Sequence, residues 1–181
     1  MTNTAIPALD TLLEQGALGT ANRQVLEYWQ SLRKNGALPV RTDFNPGRVR
    51  SLLNRLCLFE ARPGKSLTCR LAGSMVRQGL GMELSGMDYM DYTPPAYRKQ
   101  RMEVYTQIIG GLAMCNRRGA ITTNGRELIW DELVLPFGDM REDGSCQVLV
   151  MADIADLEYH EQAKDAGTVL GAPRSAQFYR I

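Results

Sequence analysis

Few residues in this chain have the type and spacing that chemistry needs, and each group of them fails a specific test. There is one histidine among the 181 residues, His160. A serine or cysteine nucleophile relying on an imidazole base would have to use it. It lies in a polar carboxy-terminal stretch and is read as an exposed tail residue. The four cysteines, Cys57, Cys69, Cys115 and Cys146, form no C-x-x-C pair and sit in apolar stretches. They lack the short ligand spacing of a zinc site, so no metal ligands are assigned. Gly79-Leu80-Gly81 begins like a dinucleotide loop, but Leu84 stands where the third glycine belongs. Neither a phosphate-binding G-x-x-x-x-G-K-[ST] loop nor a G-x-S-x-G elbow is present. Asp131 and Glu132 are neighbours on an expected strand, which sends them to opposite faces and denies them a shared acid–base site. No catalytic residue is assigned, and the chain is read as a non-enzyme.

What remains is binding chemistry. Arg70 has the guanidinium to pair with an anionic ligand group. Tyr92, Tyr105 and Trp130 could wall a pocket and supply polar tips. Met75 belongs to a run with Met82, Met87, Met90 and Met102, whose flexible thioethers suit either an ordinary core or a deformable pocket. These five, Arg70, Met75, Tyr92, Tyr105 and Trp130, are the candidate ligand contacts. Taken singly, each also fits a purely structural role.

Composition narrows the class. Lys and Arg number 21 against 20 Asp and Glu, a net charge of +1, which is not the footprint of a general nucleic-acid binder. The short basic clusters at Arg48/Arg50, Arg98/Lys99/Arg101 and Arg117/Arg118 are read as solvated faces. Neither a signal peptide nor a run of 18 apolar residues is found, so a cytoplasmic location is expected, with the cysteines as small buried hydrophobes.

The elements that must position the binding residues follow from periodicity and turn signals. Residues 1–21 are expected to be a flexible extension. A helix then presents Val25, Tyr28, Trp29 and Leu32 on one stripe. Tyr28, Trp29 and Leu32 are the candidate interface residues, because that face must bury against something. Asn45-Pro46 starts a short helix. Two strands flank the Pro63-Gly64 turn, the second with Leu67, Cys69 and Leu71 expected on one face. Glycines break Ser74 to Tyr92 into short helices, and Thr93-Pro94 opens the longest helix. Three strands follow, from Leu112 to Thr123, Arg126 to Phe137 and Cys146 to Ile154. Asn124-Gly125 and Asp143-Gly144 mark the turns between them. The last two strands are apolar on both faces, which calls for a sheet covered on both sides: by the central helices on one, and by the first helix, a partner subunit or both on the other. Residues 157–181 are expected to be a mobile tail with a short helix near Leu157 to Lys164.

This ββαααβββ order resembles the PAS domain family, and more specifically bacterial stand-alone PAS proteins with an amino-terminal flanking helix. The likeness is carried by Glu27-Tyr28-Trp29 with Leu32-Arg33, by Arg41-Thr42-Asp43-Phe44-Asn45-Pro46, and by Cys69-Arg70-Leu71-Ala72-Gly73 running into Gly81-Met82-Glu83-Leu84-Ser85-Gly86. Glu132-Leu133-Val134-Leu135-Pro136-Phe137 fits as well, and the resemblance covers residues 22–156. Asp153-Ile154-Ala155 is similar to the Asp-Ile-Thr signature that closes many such domains, with Ala155 as the departure. The resemblance implies an α+β fold: a five-stranded antiparallel sheet with short central helices, one long helix and an amino-terminal flanking helix. It also implies a ligand pocket on the concave face and frequent homodimerisation. Flavin-adduct members need an Asn-Cys-Arg context on a central helix. Here Cys115-Asn116 reverses the order on an expected strand, and the long helix lacks the histidine that haem-binding members use. Neither flavin nor haem is expected. The functional expectation is a sensor that binds an unknown small molecule or an unidentified signalling protein. The alternative is a protein-interaction adaptor with a filled core and no ligand.

Overall fold

A computed structural model describes residues 6–16, 18–123, 126–154 and 176–181, without the side chains of residues 116–129 and 176. Its elements are α1 (Asp10–Glu14), α2 (Thr20–Ser31), 3₁₀ segments at Arg41–Asp43 and Pro46–Arg55, β1 (Leu56–Arg62), β2 (Ser66–Ala72), α3 (Ser74–Leu80), α4 (Pro95–Ile109), β3 (Leu112–Thr123), β4 (Arg126–Pro136), β5 (Cys146–Ile154) and β6 (Ala176–Arg180). The strands form one antiparallel sheet in the order β2-β1-β5-β4-β3-β6. The α+β class and the five expected strands are present. A sixth strand, β6, is added beside β3 from the segment expected to be a mobile tail. The expected tail helix, His160 and the Asn124-Gly125 turn lie outside the described residues.

Alternation along the central strands builds two cores. On β4, Trp130 and Val134 pack with one cluster, while Leu133 and Leu135 belong to the other. The first cluster lies between the sheet and α3, α4 and their connecting segment, and includes Phe59, Val76, Leu80 and Tyr105. The second lies under α1 and α2 and includes Leu12, Val25, Leu26 and Trp29. The chain's own amino-terminal helices thus cover the second face.

Two expectations change as a result. Of the extension expected over residues 1–21, the described residues 6–16 are not loose: Leu9 and Leu12 are buried in the second core, and Leu9 N–H donates to the Arg180 carbonyl at 2.8 Å. Trp29 is not a surface contact residue. It is fully buried, and its indole N–H donates to the Pro136 carbonyl at 3.2 Å. Tyr28 is half-buried, packs against Phe44, and its hydroxyl accepts from the Asn45 N–H at 2.9 Å. Leu32 packs half-buried against the same core.

Both outer strands are covered along their edges. Beyond β2, the Cys69 N–H donates to the Met87 carbonyl, and the N–H groups of Gly86 and Tyr89 donate to the carbonyls of Cys69 and Leu67. The Leu67 N–H itself donates to the Asp88 carboxylate. Beyond β6, Ala8 bridges to Arg180, whose N–H donates to the Pro7 carbonyl. Covered edges remove a template for unwanted strand pairing. For the site, the first arrangement matters more, because it fixes residues 86–89 beside the sheet.

Candidate functional site

A cavity of about 40 Å³ opens between the first face of the sheet and the helices above it. Its floor comes from strand positions two apart, which share a face. Cys57 and Phe59 rise from β1, Trp130 and Glu132 from β4, and Val150, Ala152 and Ile154 from β5. Cross-strand register places Trp130 opposite Ile154 and Glu132 opposite Ala152. Val76 and Leu80 of α3, Leu84, Tyr89 and Tyr105 of α4 complete the walls.

Two backbone features hold the roof. Gly81 ends α3 in the left-handed conformation, with φ of 66°, and its N–H donates to the carbonyl of Gln78. A Cβ on Gly73, before α3, would come within 2.4 Å of the Asn54 backbone, so only glycine lets α3 start against the preceding 3₁₀ segment. Glu83 then closes the turn, accepting from the N–H groups of Leu84 and Ser85 and from Arg77. The Ser85 backbone N–H, followed by Arg77, holds the Glu83 carboxyl down at about 2.

The site is mostly apolar, with its polar groups gathered at Glu132 and the two phenols. Phe59 and Tyr89 meet edge to face, with ring centroids 5.5 Å apart. Arg101 is buried behind Tyr89, its guanidinium carbon 5.0 Å from the ring centroid, and it donates to Thr93 Oγ1 at 2.9 Å. Burial raises the Tyr89 hydroxyl to about 12 and the Tyr105 hydroxyl well above its ordinary value; the Glu132 charge adds to both effects, while Arg101 opposes them. Burial likewise pushes the Cys57 thiol up to about 12. Protonated phenols and thiols can exchange hydrogen bonds but are poor bases and nucleophiles at neutral pH. Among the described residues, no group of three or more His, Cys, Asp or Glu side chains is placed to hold a metal ion.

Two of the five candidate ligand contacts, Tyr105 and Trp130, line this cavity. Arg70 does not. A register shift in the β1–β2 pairing sets Phe59 opposite Cys69 and Leu58 opposite Leu71, leaving Arg70 as the extra residue. Its side chain crosses to Glu60, donating from Nη2 to Oε1 at 2.9 Å and from Nε to Oε2 at 3.3 Å. Arg62 and Arg141 join the same buried carboxylate at 2.9 Å and 2.6 Å. The Glu60 carboxyl is held below its ordinary value, chiefly by the Arg70 hydrogen bonds. The same shift turns Leu71 outward to 53% exposure, away from the face shared by Leu67 and Cys69. Met75 is half-buried beside the cavity-lining Val76, and Tyr92 donates its hydroxyl to the Met87 sulfur at 3.3 Å; neither lines the cavity.

Tyr89 and Glu132 are cavity residues that sequence reasoning missed. Glu132 had a usable signal, since Trp130, Glu132 and Val134 alternate onto one face of an apolar strand. Tyr89 had none, because it lies in a glycine-punctuated segment whose position depends on hydrogen bonds to β2.

A family model described as PAS domain matches residues 19–150, which takes in α2, α3, α4, β1 to β4 and the first five residues of β5. No curated protein gives a significant match to the sequence. No helix among the described residues is long and apolar enough to cross a membrane.

Proposed function

This chain belongs to the PAS domain family, whose members generally serve in sensing and signalling, and from that premise we propose that it is a non-catalytic, ligand-responsive sensor. A small molecule would bind between the sheet and the α3–α4 layer, favouring one arrangement of those helices and changing a surface read by a signalling protein or a second copy. The observation that carries this reading is the cavity itself: apolar walls converge on one carboxylate and two phenols, and all of its lining residues except Ala152 and Ile154 fall within the region the family model matches. Tyr105 and Trp130, joined by Tyr89 and Glu132, are the proposed ligand contacts. Homodimerisation and a cytoplasmic setting belong to the same proposal. Four buried free cysteines favour a reducing compartment.

A second reading has its own support. Small-molecule sites typically enclose roughly 300–1,000 Å³, whereas this cavity holds about 40 Å³. A core so nearly filled suits an adaptor that binds proteins without a ligand. Native mass spectrometry of the protein purified without additives, followed by denaturing mass spectrometry, separates the two. A discrete extra mass lost on denaturation supports the sensor. A bare protein whose cavity takes up no apolar probe supports the adaptor.

A further inference from the structure

Glu60 stands on the sheet face opposite the cavity. On β1, Cys57 and Phe59 line the cavity, while Leu58, Glu60 and Arg62 alternate onto the other face. Three arginines from separate parts of the chain converge there on the one buried carboxylate. Arg62 follows it on β1, Arg70 comes from β2, and Arg141 comes from the connection between β4 and β5. Arg70 and Arg141 share an acceptor: Arg70 Nε donates to Glu60 Oε2 at 3.3 Å, and Arg141 Nη1 donates to the same oxygen at 2.6 Å. Two guanidinium groups are thereby held side by side. Arg62 also donates from Nε to Asp143 at 3.1 Å, so within the bonded cluster three cations face two carboxylates.

The positive charge left over is within reach of solvent. The side chains of Arg70 and Arg141 are 43% and 54% exposed, whereas that of Glu60 is 2% exposed. Among the described residues, Arg70 Nη1 and Arg141 Nε and Nη2 have no acceptor. Glu60 already fixes both side chains, so little rotamer freedom is left to lose on binding. One planar carboxylate matches a single guanidinium fork. A phosphate group, with three terminal oxygens and close to two negative charges, can accept from both. The geometry points to this pair as a site for a phosphate group, with Arg70 and Arg141 as its donors and Glu60 as the residue that positions them. Leu71 pairs with Leu58 across the β1–β2 ladder and is 53% exposed. The organic part of a phosphate ester therefore has an apolar surface beside the arginines. This site does not depend on the cavity, which lies across the sheet.

Calorimetric titration of the full chain at low salt tests it, with phenyl phosphate, inorganic phosphate and benzoate as probes. Phenyl phosphate is expected to bind at least about tenfold tighter than benzoate. Arg141→Gln leaves Arg62 and Arg70 on Glu60 and should weaken phenyl phosphate by at least about fivefold. Arg70→Gln is the second variant, with the same loss expected. Arg50→Gln removes an equal charge from an exposed position elsewhere and should change the affinity by less than about twofold. Thermal unfolding establishes that each variant is folded. Inorganic phosphate binding as tightly as phenyl phosphate would identify the free ion as the ligand. Tighter binding of phenyl phosphate, reduced by Leu71→Ser, would identify an ester. Absence of phosphate binding, benzoate binding as tightly as phenyl phosphate, or equal losses in Arg141→Gln and Arg50→Gln overturns the proposal.

Discussion

Leu9 and Arg180 lie 171 positions apart, yet the Leu9 N–H donates to the Arg180 carbonyl at 2.8 Å while Arg180 Nε donates to the Ile6 carbonyl at 2.9 Å. The two ends of the described chain thereby hold each other on the edge of the sheet. Neither end is strongly structured alone: α1 has five residues, and so has β6. Together they bury Leu9, Leu12 and Tyr179 in the second core. Removing residues 176–181 should therefore destabilise α1 as well as β3, and Leu12→Ala should cost about 2–4 kcal/mol, the usual range for a buried leucine. Chemical denaturation checks the second value. Hydrogen exchange at the α1 amides checks the first, since unchanged protection after the truncation would mean that α1 is held by its own packing.

The reach of sequence reasoning can be judged from particular residues. Strands β4 and β5 were legible as doubly covered because apolar residues occupy both of their faces, and the structure supplies a cover for each. The stripe on α2 was legible too, but its destination was not. An amphipathic helix has the same pattern whether it packs on its own sheet or on a partner, and Trp29 went inward. Leu71 was misplaced because alternation assumes an unbroken ladder, and the extra residue at Arg70 shifts the register. Strand β6 was missed because five residues with little alternation become a strand only by pairing with β3. Of the cavity, Tyr105 and Trp130 were found from residue type; Tyr89 depends on long-range backbone contacts that local pattern does not encode.

Glu60 is a buried carboxylate paired with three arginines, each between about a third and a half exposed, and it accepts hydrogen bonds from Arg70 and Arg141. Its removal leaves cations that water can still reach. Glu60→Gln should therefore cost less than the roughly 3–5 kcal/mol typical of breaking a fully buried pair, and about 2 kcal/mol is expected from the loss of charged hydrogen bonds. Urea denaturation measures it. Arg70→Ala should be milder, because Arg62 and Arg141 remain on the carboxylate. A ligand affinity that dropped with Arg70→Ala alone would return Arg70 to the binding machinery.

Gly73 joins β2 to α3 where a Cβ would lie 2.4 Å from the carbonyl carbon and oxygen of Asn54. The obstacle is backbone, which cannot rotate aside. Gly73→Ala should push α3 away from the preceding 3₁₀ segment and destabilise the fold by about 1–3 kcal/mol, as overpacking does. Because α3 supplies Val76 and Leu80 to the cavity, a change in Trp130 fluorescence should accompany the loss of stability. A variant with native stability and an unchanged spectrum would contradict this account.

Acid should loosen the turn over the cavity. The Glu83 carboxyl lies at about 2 instead of 4.5, and the Asp143 carboxyl at about 2 instead of 3.8, each lowered first by hydrogen bonds from a following serine, Ser85 and Ser145. A folded-state value below the unfolded one gives stability that is fully present above the unfolded value and is lost as pH falls towards the folded value. The melting temperature should thus fall between about pH 4.5 and pH 2. The double variant Glu83→Gln/Asp143→Asn should show a shallower fall over that window, measured by thermal unfolding across a pH series. An identical slope would mean that these carboxylates titrate alike in both states.

The cysteines bear directly on whether this fold could do covalent chemistry. All four are free and buried. Burial raises Cys57 to about 12 and Cys69 and Cys146 to about 11, each despite a backbone hydrogen bond that pulls the other way. The thiolate is the reactive form, so at pH 8 only a very small fraction of each of these three side chains can attack a reagent. In the folded protein all four thiols should react slowly with a disulfide reagent such as Ellman's, at a rate set by opening of the structure, and all should react promptly once urea unfolds it. Cys57 is the informative one because it lines the cavity. Rapid modification of Cys57 under native conditions, located by peptide mass mapping, would show a reactive nucleophile in the binding site and reopen the case for an enzyme. Uniformly slow modification that accelerates with denaturant would leave binding, not bond-making, as the chemistry of this cavity.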